Sequence, residues 1–171
     1  MQILKIILLI TIFGTSTIIG VLISKKYSNR VKTLKDLREA LSIFEIKVKF
    51  SFETIPEIFD EISKKTRGAV RMIFSDTIKN VEINNMLVDE AWECSVEKNG
   101  GDLKIEDIDC IKSLGKLLGK TDIDGQINQI NLVSVFIDKQ IEEATEEKNK
   151  NQKMYQKLGA IVGLIIVIVL F

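Results

Sequence analysis

Apolar residues recur at helical spacing through most of the chain. The first line of them steps by three and four residues and comprises Tyr27, Val31, Leu34, Leu37, Leu41, Phe44 and Val48. A second line, Ile43, Ile46 and Phe50, predicts that this helix is buried on more than one side. No proline or acidic cluster separates the helix from the apolar residues that precede it. The pattern therefore predicts one long, continuous first helix.

Four shorter amphipathic helices are predicted next. TIPE (54–57) starts one of them, since Thr54 can cap, Pro56 tolerates the first turn and Glu57 occupies the capping-box position. This helix runs to residue 65, and two more cover residues 70–81 and 86–98, the latter ended by NGG (99–101). The fourth covers residues 105–118 and ends at Gly119.

A last helix begins near TDIDG (121–125) and continues without proline into the C-terminal apolar run. It keeps a seven-residue pattern, whose members are Ile123, Ile127, Ile130, Ser134, Ile137, Ile141 and Ala144. The predicted fold class is all-α. We expect a membrane-anchored bundle of about six helices whose first and last members extend into transmembrane helices.

Two uncharged stretches have the composition of membrane spans. Ile6–Ile23 would rise roughly 27 Å, close to a ~30 Å hydrocarbon core. The alternative, a signal peptide, lacks an A-x-A site. The second stretch, 158–171, reaches only about 21 Å, which alone suggests a buried or re-entrant helix. Counted from Met154, with Tyr155 at the headgroups and Lys157 snorkelling, it becomes a short span that ends with the sequence at Phe171.

These stretches predict three segments: an N-terminal transmembrane helix (1–24), a helical bundle domain (25–153) and a C-terminal transmembrane helix (154–171). The charges that set topology are Lys25, Lys26, Arg30, Lys153 and Lys157. Since they flank the bundle side of both spans, the positive-inside rule places the bundle in the cytoplasm.

Composition argues against catalysis and nucleic-acid binding. The 24 basic and 24 acidic residues balance, and there is no histidine, the commonest general base. No Walker loop, GxSxG motif or histidine–carboxylate set occurs. We therefore expect no enzyme activity, cofactor, catalytic residue or nucleic-acid partner. Cys94 and Cys110, with no CxxC context, are interpreted as reduced cytosolic thiols.

Acidic residues invite a metal-site interpretation that their spacing does not support. With Gly125 at position six of a calcium loop, Lys120 falls at position one and Asn131 at position twelve. TDIDG is therefore predicted to be a polar turn with an aspartate helix cap. The acids Glu142, Glu143, Glu146 and Glu147 are interpreted as a solvated helix face.

Three sets of residues are candidates for function. Gly159 and Gly163 form GxxxG, and Ser16 and Gly20 share that spacing in the first span. Small residues four apart let membrane helices approach closely, within one chain or between chains, although they are also common in such helices generally.

Arg38 and Glu45 share a face of the first helix. They are either charges at the bundle edge or a partner-docking or buried ion-pair site. Trp92 is either core or an exposed anchor for a partner.

Several segments, in order along nearly the whole chain, resemble stage III sporulation protein AB. They are LKDLREALSIFEIKVKF, IPEI, DEAW, SLGKLLGKTDIDGQINQI and NKNQKMYQKLGAIVGLIIVIVL. One departure is Glu57, where relatives often have leucine. The resemblance implies a non-enzymatic platform protein in the mother-cell membrane around the forespore. It implies a bundle similar to the cytoplasmic domain of the type II secretion F protein, within a channel apparatus that links the two compartments and supports forespore development.

The partners implied by the resemblance are an ATPase similar to stage III sporulation protein AA and other membrane proteins of the apparatus. The apolar stretches imply the lipid bilayer as a further partner, and the small-residue motifs leave open whether a second copy of the chain is one. Arg38 and Glu45 match patterned positions of the family's first helix, which favours the docking interpretation. Two alternatives stay open: a passive membrane scaffold or coiled-coil tether, and a membrane-bound regulator that sequesters a soluble factor.

Overall fold

The computed structural model describes residues 2–51, 53–116, 118, 120 and 122–170, with the backbone alone at residues 2, 3 and 6. Six helices account for nearly all of this part of the chain: α1 (Gln2–Phe50), α2 (Ile55–Lys65), α3 (Gly68–Glu82), α4 (Val88–Asn99), α5 (Ile105–Gly115) and α6 (Ile123–Leu170). The prediction of an all-helical fold with a long, unbroken first and last helix is confirmed.

Helix ends follow local side-chain chemistry. Glu57 accepts hydrogen bonds from the backbone N–H and Oγ1 of Thr54 at 2.7 and 2.9 Å, and these bonds lower the pKa of its carboxyl group. Asp122 accepts the N–H of Gly125 at 3.0 Å, so the predicted aspartate cap of α6 is confirmed. The predicted end of α5 is wrong: this helix ends at Gly115, and Gly119 lies outside the described residues, as does Thr121 of TDIDG.

The chain divides into two compact units, and the division falls within α1 and α6. The bundle unit comprises Lys32–Glu142. The hairpin unit contains the terminal parts of α1, up to Val31, and of α6, from Glu143. Both α1 and α6 contain stretches long and apolar enough to cross a membrane.

In the bundle unit, α3 packs against α2 and α4, and α4 packs against α5. An aromatic cluster joins these elements to α1: Phe59 lies 5.3 Å from Phe44, 4.9 Å from Phe74 and 5.3 Å from Trp92, between ring centroids. All four rings are fully buried. Such a cluster stabilises the bundle by apolar burial and by edge-to-face ring contacts.

The two apolar lines of α1 differ in how far they are buried within this unit. Leu34, Leu37, Leu41 and Phe44 are buried. Ile46 and Phe50 are 57% and 73% exposed, so the prediction that their line is also buried is wrong. Periodicity identified the line but not whether another helix covers it.

Charged side chains tie α1 to α2 at the bundle surface. Lys47 contacts the carboxylates of Glu53 and Glu61. Hydrogen bonds from Lys47 first, and then from Lys65, lower the pKa of Glu61 to about 2.

Candidate membrane helix pair and docking face

In the hairpin unit, α1 and α6 meet at the small residues that the sequence singled out. A Cβ atom added to Gly20 would lie 2.7 Å from the Tyr155 carbonyl oxygen and 2.9 Å from the Gly159 Cα. One added to Gly159 would lie 2.9 Å from both the Gly20 Cα and the Ser16 carbonyl oxygen. Because these neighbours are backbone atoms, no side-chain rotation can relieve the clash. The two helices are this close only because glycine occupies both positions.

Ser16 and Gly163 complete the contact. The Ser16 hydroxyl donates a hydrogen bond to the Gly159 carbonyl at 2.8 Å. A Cβ atom on Gly163 would lie 3.1 Å from the Ser16 Cβ and 3.2 Å from Phe13. In this structure the small residues of both motifs face each other within one chain.

Polar contacts continue this helix pair beyond the apolar stretch. Gln156 donates to the Ser24 hydroxyl at 3.2 Å, and Ser24 is fully buried. The rings of Tyr27 and Tyr155 stack with their centroids 5.8 Å apart. The α1–α6 contact therefore changes from small apolar residues to hydrogen bonds and an aromatic stack.

An ion pair follows the stack. Arg30 Nη1 lies 3.0 Å from Glu147 Oε2, and the arginine side chain is 4% exposed against 33% for the glutamate. Glu147 is therefore not part of a solvated face, and that interpretation is wrong for this residue. Glu142, Glu143 and Glu146 are exposed. Sequence reasoning missed the pair because its members are 117 positions apart and each has ordinary charged neighbours.

The residues predicted to set topology differ in their environments. Lys25, Lys26, Lys153 and Lys157 are exposed. Arg30 is buried against Glu147, so its charge is compensated within the protein. The positive charge available to solvent or to headgroups at this end of the hairpin comes from the lysines.

In the bundle unit, Arg38 forms an ion pair with α6. Its Nε lies 3.0 Å from each carboxylate oxygen of Asp138, and the two side chains are 35% and 54% exposed. Exposed pairs of this kind contribute at most about 1 kcal/mol to stability. Glu45 is half-buried, two helical turns along the same face of α1.

Two exposed apolar residues accompany the Arg38–Asp138 pair. Val135 lies about one turn from Asp138 on α6 and is 70% exposed, and Leu132 is 68% exposed. Neither belongs to the buried line of α6, which includes Ile130 and Ile137. We group Arg38 and Glu45 of α1 with Leu132, Val135 and Asp138 of α6 under the name docking face, because the Arg38–Asp138 pair joins the two helices here. The seven-residue pattern does not by itself identify the apolar members, because Val133 also falls outside it and is buried.

Trp92 does not belong to any exposed surface. Its side chain is fully buried, and its indole N–H donates to the Ile111 carbonyl at 2.8 Å. The docking interpretation of Trp92 is therefore wrong, and the core interpretation is confirmed. Gly115 makes room for the ring, since a Cβ atom there would lie 2.7 Å from Trp92 Cδ1. This contact explains the first glycine of the SLGKLLGK segment.

Two observations concern metal-binding and reactive side chains in the described part of the chain. No group of three or more His, Cys, Asp or Glu side chains among those residues could hold a metal ion. Cys94 is exposed, and burial raises the pKa of the half-buried Cys110 thiol to about 11, which keeps it protonated and unreactive at neutral pH.

Comparisons with known proteins agree with this architecture. The family model described as stage III sporulation protein AB matches residues 5–171. The chain is 25% identical to stage III sporulation protein AB of Bacillus subtilis (strain 168) over 98% of its own length and 99% of that protein. It is also similar to a solved structure titled stage III sporulation protein AB, with a TM-score of 0.66 and 22% identity, over 71% of this chain and 98% of the other.

Proposed function

Because this chain belongs to the stage III sporulation protein AB family, we propose that it is a membrane platform of a sporulation-specific, secretion-like channel. In this proposal the bundle faces the mother-cell cytoplasm, and the terminal helices lie in the mother-cell membrane around the forespore. The bundle docks a cytoplasmic ATPase that resembles stage III sporulation protein AA. The platform itself carries out no chemistry and supports forespore development through the assembled channel.

The observation that carries this proposal is the continuity of α1 and α6. Each is one uninterrupted helix that contains both a membrane-type apolar stretch and part of the bundle. A partner that moves or repositions the bundle would therefore act directly on two membrane segments. Such a connection suits a platform that transmits position or force, because a helix is stiffer than a loop.

The docking face is the surface that we propose contacts the ATPase. It combines a partly exposed ion pair with two exposed apolar side chains, whereas the exposed surface of a helix is normally polar. Apolar residues ringed by charges are typical of protein-binding surfaces. Glu45 extends the face along α1 with a further acceptor for a basic partner residue.

The direct test is capture of the ATPase by the full-length protein in detergent. We expect Arg38→Glu to reduce capture several-fold, and Leu132→Asp likewise. Arg71→Glu is the matched control, since Arg71 is an exposed arginine on α3, outside the docking face. Unchanged capture by both docking-face variants would remove this surface from the interface.

The Arg38–Asp138 ion pair needs a separate control, because Arg38→Glu also places a glutamate opposite Asp138. In the double reversal, Arg38→Glu with Asp138→Arg, the ion pair is restored with opposite polarity. If Arg38 contacts the partner, capture stays low in the double reversal. If it acts only by holding Asp138, capture recovers.

Orientation is tested by protease protection in sealed vesicles. The exposed lysines at 25, 26, 153 and 157 favour a cytoplasmic bundle. We expect the bundle to be cleaved only from the cytoplasmic face. Cleavage from the opposite face alone would contradict this part of the proposal.

A coiled-coil tether is less favoured than a platform. The central members of the seven-residue pattern, Ile130, Ser134 and Ile137, are buried within this chain and are not free to form a seam with another. Co-purification separates the possibilities: ATPase and channel proteins for a platform, self-association alone for a tether, and one soluble partner for a regulator.

A further inference from the structure

An open groove runs along one side of the hairpin unit, between α1 and α6. Its volume is about 530 Å³. On α1 it is lined by Ile12, Thr15, Ser16, Ile19, Gly20 and Ile23. On α6 it is lined by Tyr155, Leu158, Gly159, Val162 and Ile166. The small residues at the helix contact form its floor, and the branched apolar side chains form its walls.

The groove offers few polar atoms to a ligand. The Thr15 hydroxyl donates to the Thr11 and Ile12 carbonyls at 2.9 and 3.0 Å. The Ser16 hydroxyl donates to Gly159. Since both hydroxyl protons are already engaged, the lining is mostly apolar, with Tyr155 at one end. A polar ligand or a charged peptide would find few hydrogen-bond partners along this surface.

Its length corresponds to one leaflet of a bilayer. From Ile12 to Ile23 the α1 wall rises roughly 16 Å at about 1.5 Å per residue, and the α6 wall from Tyr155 to Ile166 has the same span. Half of a ~30 Å hydrocarbon core is about 15 Å. The groove therefore matches the depth of one extended acyl chain, whereas a third transmembrane helix would need the full thickness.

Among the described residues, the exposed charges beside the polar end of the groove are those of lysines. Lys26 is exposed and lies one turn beyond Ile23 on the same face of α1. No acidic residue precedes Asp36, and none follows Glu147, whose carboxylate contacts Arg30. Basic residues at the cytoplasmic end of a cleft between membrane helices suit an anionic headgroup.

We propose that this groove holds one acyl chain of an anionic phospholipid, with the headgroup at Lys26. The proposal rests on the membrane insertion proposed above and adds a specific lipid site to it. The bound lipid would fill the cleft that the close α1–α6 contact leaves on this side, and would bury apolar surface on both helices at once.

The test is native mass spectrometry of the full-length protein, released from detergent with equal amounts of phosphatidylglycerol and phosphatidylcholine. We expect one retained phosphatidylglycerol per chain and a clear preference over phosphatidylcholine. Val162→Trp fills the groove and should abolish retention. Ile161→Trp is the matched control, because Ile161 is exposed at the same depth but does not line the groove. Lys26→Gln should remove the preference for phosphatidylglycerol while leaving the groove accessible to an acyl chain.

Several results would overturn the proposal. These are equal retention of both lipids by the unmodified protein, full retention by Val162→Trp, or a change of oligomeric state in Val162→Trp alone, which would assign the groove to another helix. Carbonate extraction of the same variants tests the lipid site separately from its premise, which is the insertion of the hairpin unit into the membrane. Protein that resists extraction but retains no lipid contradicts the lipid site alone, whereas protein released by carbonate contradicts membrane insertion.

Discussion

Replacement of Gly159 by alanine should open the α1–α6 contact in the hairpin unit. The added Cβ would lie 2.9 Å from two backbone atoms, whereas ordinary contact begins near 3.4 Å. The helices must therefore separate by roughly 0.5 Å, which forfeits about a quarter of each van der Waals contact between them. Gly14→Ala is the matched control, because a Cβ atom at Gly14 meets nothing within 4 Å.

The free-energy cost of Gly159→Ala can be estimated from the contacts between α1 and α6 that are weakened. If about 20 atom pairs each lose a quarter of ~0.15 kcal/mol, the loss of packing is about 0.8 kcal/mol. Lengthening the bond from Ser16 to the residue 159 carbonyl adds about 0.6 kcal/mol, the average for interhelical hydrogen bonds in membranes. The sum, about 1.4 kcal/mol, is a tenfold increase in the open population. Gly159→Ala and Gly14→Ala both gain the same helix propensity from alanine. The difference between their opening free energies therefore reports the clash alone.

The assay is thiol labelling at Ser24, which is fully buried beside Gln156. In a Ser24→Cys protein whose native cysteines are replaced by serine, maleimide reacts only when α1 and α6 open, so the labelling rate reports the open population. We expect Gly159→Ala to raise the rate about tenfold and Gly14→Ala to leave it unchanged. An unchanged rate in Gly159→Ala, or an equal rise in both, would refute the close-contact argument.

Three further predictions concern the bundle, each checked by thermal unfolding in mild detergent. Trp92→Phe loses the bond to the Ile111 carbonyl and part of a buried ring, and should lower stability by about 1–3 kcal/mol; an unchanged midpoint would contradict the core role. Ser134→Ala should be neutral or stabilising, because the buried hydroxyl has no hydrogen-bond partner among the described residues; a marked loss would reveal a partner. The pKa of Glu61 is lowered in the folded protein, chiefly by Lys47, so its stabilising contribution is present above about pH 4.5 and is lost as pH falls towards about 2. Glu61→Gln should show a smaller drop in the midpoint over that range, and an identical drop would argue against the assignment.

Local features of this fold were predictable because their causes are local. The start of α2 directly after Thr54 and the cap of α6 at Asp122 follow from side chains within three residues of the backbone groups that they satisfy. The continuity of α1 follows from the absence of a helix breaker. The end of α5 was misplaced because apolar spacing persists to Leu118 after the helix has ended.

The features of the fold and the site that were not predictable depend on which helices pack against each other. Apolar periodicity does not determine this. Ile46 and Ile137 both occupy apolar positions of long helices, yet the first is 57% exposed and the second is buried. Arg30 and Glu147 each fit a charged segment, and only the pairing of the first helix with the last brings them together. The docking face could not be predicted for the same reason, because Arg38 and Asp138 are 100 positions apart and meet only when α1 packs beside α6.

The sequence separation of these contacts has a consequence for assembly. The hydrogen bond between Ser16 and Gly159 joins residues 143 positions apart. A flexible loop of that length would hold its ends at a low effective concentration, since loop closure costs more entropy as the loop lengthens. Once the intervening helices fold, that entropy is already lost, and the two ends associate almost as neighbours. Unfolding of the bundle, which a destabilising change at Trp92 would promote, should therefore loosen the terminal helix pair without touching any of its residues.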